Sequence, residues 1–98
     1  MEDKREMRVC RLLDDAQLGG NKLFACITME PGWERSFYMH YGEAETYYIV
    51  SGTCEYNENG AMRVLNAGDT VYCGDGEGHG IRNIGDDELI FIALITPT

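Results

Sequence analysis

The chain has 98 residues, enough for one small domain. Eight Lys and Arg stand against seventeen Asp and Glu, and the net charge of −9 argues against nucleic acid or anionic membrane as a partner, since either needs a basic face. No apolar run approaches the roughly 18 residues of a membrane span, and the opening MEDKREMRV lacks the apolar core of a signal peptide, so a cytoplasmic protein is expected.

Residues 1–15 mix Lys4, Arg5, Arg8 and Arg11 with Glu2, Asp3 and Glu6 and read as a solvated N-terminal arm, leaving 16–98 for a single domain. RLLDDAQLG is the best helical candidate, and it is short. Lys22–Met29 is a predicted strand closed by Glu30-Pro31-Gly32, a strong turn signal. Trp33–His40 follows, then a break at YGEA, then Glu45–Gly52, rich in β-branched and aromatic residues. TCEYNENGAMRVLN reads as a hairpin turning at Asn59-Gly60. Asp69–Cys73, His79–Ile84 and Glu88–Thr96 complete the set, and this rhythm of turns predicts an all-β sandwich or barrel. The last strand, with LIFIALI, is apolar on both faces, where a sheet with one wet face would alternate; a homodimer is the economical explanation. Cys10, Cys26, Cys54 and Cys73 show no zinc-like or redox spacing and are read as free thiols in a reducing compartment.

The chemistry centres on the two histidines. Tyr38 and His40 are two apart and share a strand face. Glu45 lies five positions after His40, an odd spacing that a turn or bulge at Gly42 is expected to correct. His79 comes 39 residues after His40, so the three converge only if the fold brings two hairpins around one cavity. Two imidazoles and a carboxylate would leave open positions on a metal, as in non-haem iron or hydrolytic zinc sites. The other reading of each histidine is a satisfied polar residue on a sheet.

The surrounding glycines form a frame. Gly32 is followed after five residues by Tyr38, then His40, after four more Glu45 and after six Gly52. Gly68, Gly74, Gly76, His79 and Asn83 follow at fixed offsets, with 15 residues between Gly52 and Gly68. This pattern resembles the two motifs of the cupin superfamily at eight of ten signature positions, from Gly32 to Asn83. The resemblance implies a single-domain antiparallel jelly-roll barrel of two sheets. It further implies a divalent metal, iron, manganese, nickel or zinc, held by His40, Glu45 and His79.

Two positions depart from the pattern. Gly74 replaces a proline, and Tyr38 stands where the first motif histidine belongs. Three readings of Tyr38 stay open. It lines the site as a proton donor or substrate group, it ligates the metal itself, or the site has lost its metal. Alternation places Tyr47, Ile49, Ile81 and Asn83 on the inner face, with Tyr47 and Asn83 as candidate substrate contacts. By the same parity no Arg or Lys, Arg35 included, points inward unless a bulge overturns it, which argues against a sugar-phosphate ligand. Cys73 adjoins the second motif and either approaches the site or fills space. The functions left are a metal-dependent enzyme on a small molecule, a non-catalytic small-molecule binder, or a dimer with a vestigial pocket.

Overall fold

The computed structural model describes residues 7–98; Lys4, Arg5 and the acidic residues beside them lie outside the described residues. Nine strands and one helical turn follow in order: β1 Arg8–Arg11, α1 Asp15–Leu18, β2 Leu23–Met29, β3 Glu34–Met39, β4 Glu43–Ser51, β5 Thr53–Glu58, β6 Ala61–Asn66, β7 Thr70–Cys73, β8 Gly78–Asn83 and β9 Leu89–Pro97. They form a five-stranded sheet, β1-β2-β9-β4-β7, and a four-stranded sheet, β3-β8-β5-β6. Every pairing is antiparallel, so the expected two-sheet jelly-roll barrel is the architecture found. Asn59 and Gly60 both take positive φ, 53° and 96°, as a two-residue hairpin turn of matching twist demands. Among the described residues no helix is long and apolar enough to cross a membrane.

The core fills the space between the sheets. Ala25, Ile27 and Met29 of β2, Tyr47 and Ile49 of β4 and Leu89, Phe91 and Ala93 of β9 face Cys54, Tyr56, Leu65 and Ile81 of the other sheet. Burying each larger side chain stabilises the fold by about 1.5–3 kcal/mol. In β9 the apolar run serves two faces. Leu89, Phe91 and Ala93 turn inward, while Ile90, Ile92 and Leu94 lie half-buried on the outer face of the sheet centre.

Within the segment read as a solvated arm, the described residues include a strand and a helical turn. Arg8–Arg11 pairs with Ala25–Thr28 as the edge strand of the larger sheet. All four side chains are exposed, so no apolar alternation marked the strand. Main-chain pairing holds it, and Arg8 bridges Glu30 at 2.9 Å and Glu88 at 2.8 Å. The helical candidate shrinks to one turn. Its capping box joins the Asp14 carboxylate to the Gln17 N–H at 2.8 Å and the Gln17 side chain to the Asp14 N–H at 3.0 Å.

Two local irregularities position the site. Gly42, at φ 73°, is part of the passage from β3 to β4, which belong to different sheets. Of the turn or bulge expected at Gly42, the turn is what is found. His40 follows a strand of the smaller sheet and Glu45 sits on the larger, so both reach the interior from opposite walls despite their odd spacing. The irregularity lies earlier, where the β3–β8 register shifts between Arg35 and Tyr38. Arg35 stands opposite Ile81 and Tyr38 opposite His79, and residues opposite one another share a face. The bulge thus turns Arg35 inward, which corrects the parity argument that kept every cation out.

Candidate metal centre

His40, Glu45 and His79 are 1%, 3% and 1% exposed, and they meet at one point. The two Nε2 atoms are 3.0 Å apart, and one Glu45 oxygen lies 3.1 Å from each. Tyr38 is half-buried beside them and donates its hydroxyl proton to that same oxygen at 2.5 Å. Burial, then the Glu45 charge, raises the Tyr38 phenol well above its ordinary range, so it keeps this proton.

Each ring has a partner on its far side. His40 Nδ1 is 2.6 Å from a Glu43 oxygen. That bond, ahead of any other cause, holds the Glu43 carboxyl below its usual range, so the ionised carboxylate accepts and Nδ1 carries the proton. In neutral His40 the Nε2 lone pair then faces the interior. His79 Nδ1 is 2.8 Å from the Tyr56 hydroxyl, which can donate or accept and so suits either tautomer. Tyr47 stacks on His79 with centroids 4.8 Å apart at 17° and packs against Phe91 at 4.6 Å. Its phenol, fully enclosed, is raised far above the ordinary range by burial.

These donors fit a metal ion. They bring two imidazole nitrogens and a carboxylate together in a buried site, a donor set suited to a cation. Their spacing also matches: with bonds of about 2.1 Å, adjacent donors stand about 3.0 Å apart around a six-coordinate ion and about 3.4 Å around a tetrahedral one. At 3.0–3.1 Å the three donors stand close enough together for one ion to reach all of them. Cys73 lies close by. Its sulfur and one nitrogen from each of His40 and His79 all fall within 4.8 Å of one another. Burial, with Glu77 and Glu45 adding to it, pushes that thiol up to about 11.

The remaining sequence candidates divide. Tyr47 reaches the site as the platform under His79. Asn83 does not: its amide donates to the Met29 and Asp87 carbonyls, each at 2.9 Å, and its oxygen accepts from the Gly85 N–H at 2.9 Å. That carboxamide fastens loops at the end of β8. Sequence reasoning missed Glu43, Tyr56 and Arg35. Glu43 shares the parity of Glu45, and Tyr56 lies two residues from buried Cys54, so both carried a signal. Arg35 carried none, because only the bulge brings its guanidinium 3.7 Å from the centroid of the Tyr38 ring. Among the described residues no carboxylate forms an ion pair with it.

A family model described as the Cupin domain matches residues 25–95. The chain is 36% identical over 93 residues to an oxalate-binding protein of Thermotoga maritima, covering 94% of this chain and 77% of that one. It is 35% identical over 75 residues to the oxalate decarboxylase OxdC of Bacillus subtilis, covering 71% of this chain and 20% of that protein. Among solved structures, a predicted oxalate decarboxylase from Thermotoga maritima superposes with a TM-score of 0.91 at 34% identity, over 97% of this chain and 84% of the other.

Proposed function

Since the chain belongs to the cupin family, we propose that it binds a divalent metal through His40, Glu45 and His79 and uses it to hold a small carboxylate of the oxalate class. The convergence of the three donors within 3.1 Å carries this reading. When bound, the ion, whether iron, manganese, nickel or zinc, supplies a Lewis-acidic centre for anionic oxygen. Around it the chain's own groups have separate tasks. Glu43 and Tyr56 hold the two rings in orientation. Tyr47 supports His79 from its face. Tyr38 stands beside the ligand position with a proton it does not readily lose. Arg35, inward and without a carboxylate partner among the described residues, offers a planar fork to a second carboxylate.

Metal analysis of protein purified without chelator tests the reading. One equivalent, lost in His79→Ala, is expected, followed by calorimetric oxalate binding to metal-loaded but not chelator-stripped protein. Negligible metal in both forms overturns it. A second reading, turnover of the bound acid, is favoured by the Tyr38 proton held 2.5 Å from Glu45. Carbon–carbon cleavage would release carbon dioxide and leave a carbanion-equivalent carbon that takes this proton as the phenol is reprotonated from solvent; formate production from oxalate, lost in Tyr38→Phe, tests it. Two further proposals concern the whole molecule. The outer row of Ile90, Ile92 and Leu94 supports pairing with a second copy, and four free cysteines suit a cytoplasmic location.

A further inference from the structure

Cys73 is placed where a spacer would not need a sulfur. It stands directly opposite Glu45 in the β4–β7 ladder, so both side chains enter the same interior. It is 3% exposed, and its sulfur shares a 4.8 Å cluster with a nitrogen of each histidine. No pair in that cluster is farther apart than 4.8 Å, so a side-chain adjustment would bring the sulfur to an ion held by the two rings. Tyr38, in the position a third imidazole would take, is engaged in donating its proton to Glu45. The chain has no other histidine to supply.

We propose that Cys73 is a fourth protein ligand, as thiolate, and that it tunes the centre toward thiophilic divalent ions such as zinc or cobalt and away from manganese or magnesium. The inference rests on the metal-binding reading above. Coordination forms the metal–sulfur bond and releases the thiol proton to solvent, with no change of oxidation state. Soft sulfur favours later, more polarisable ions, while an all-nitrogen-and-oxygen set accommodates the harder ones.

Cobalt(II) added to the chelator-stripped full chain reads this directly. A thiolate on cobalt gives an intense near-ultraviolet charge-transfer band that nitrogen and oxygen ligands do not give. The band is expected in the unmodified protein and in Cys54→Ser, and absent in Cys73→Ser, which still binds cobalt. The zinc-over-manganese preference is expected to fall roughly tenfold or more in Cys73→Ser. Should that variant fail to fold, alkylation of the unmodified protein decides, since cobalt would then shield the peptide bearing Cys73 from iodoacetamide. Cobalt bound without the band, or a band surviving in Cys73→Ser, overturns the cysteine ligand and leaves the metal site standing. No cobalt binding at all overturns both.

Discussion

Tyr56→Phe removes a single oxygen from the interior. The Tyr56 ring packs edge-on to His79 with centroids 5.6 Å apart and to Tyr47 at 6.2 Å, and phenylalanine keeps both contacts. What is lost is the 2.8 Å bond to His79 Nδ1, between side chains 0% and 1% exposed. No other hydrogen-bond partner of that nitrogen is present among the described residues. A buried polar group left unpaired costs about 1–3 kcal/mol, so urea denaturation of the metal-free protein should show a loss of that size at unchanged slope. The same bond orients the ring for a metal, and its removal should weaken zinc affinity by about 10–100-fold in a competition titration. Pairing the change with His79→Ala in a double-mutant cycle isolates the contact, with a coupling of about 1 kcal/mol or more expected. Additivity within about 0.5 kcal/mol, together with unaltered zinc affinity, would refute the assignment of Tyr56 as the partner that positions His79.

Three more outcomes follow from the geometry. Gly52 has φ 98°, and a Cβ there would meet the Glu88 carbonyl oxygen at 2.9 Å and Leu89 Cα at 3.0 Å. Gly52→Ala should therefore cost clearly more than the roughly 1–2 kcal/mol of left-handed strain, whereas Gly60→Ala, with open space around it, should cost only the strain; equal denaturation midpoints would contradict this. Glu43→Ala removes the Nδ1 partner of His40 and should weaken metal binding about tenfold or more. Lys22→Ala, which loses only the surface bridge to Glu43 at 3.1 Å, should leave binding intact, and similar titrations for the two would count against a ring-orienting Glu43. Burial pushes the Cys54 and Cys73 thiols from the ordinary 9.0 up to about 11. The unfolded chain then ionises them first, so stability of the metal-free protein is flat in this respect below pH 9. It should fall as pH rises toward 11, by at most about 1.4 kcal/mol per pH unit for each thiol. A urea midpoint that stays level from pH 8 to 11 would exclude that coupling.

The fold was legible because its strands are separated by strong punctuation. Pro31-Gly32 and Asn59-Gly60 mark turns whatever the surroundings, and the spacing of glycines around His40, Glu45 and His79 carried the barrel with it. The same spacing is what singled out the metal-site candidates. What escaped depends on information outside a local window. β1 is an edge strand with four exposed side chains, held by the hydrogen bonds of β2 and by the reach of Arg8 to Glu30 and Glu88. Arg35 could not be placed from a period of two, because one register shift in β3 inverts the parity of everything before it. Glu43 and Tyr56 needed the rings of His40 and His79 in position before their purpose was visible.

The two imidazoles ride on or beside strands of the smaller sheet, and the carboxylate projects from the larger. An ion shared among them would act as a rivet through the barrel wall, resisting any opening that slides one layer over the other. For so short a chain this mechanical role is sizeable: an ion at 100 times its dissociation constant adds about 2.7 kcal/mol to stability. Folding and loading would then be the same event seen from two sides, and metal supply would set how long the molecule survives as well as what it can hold.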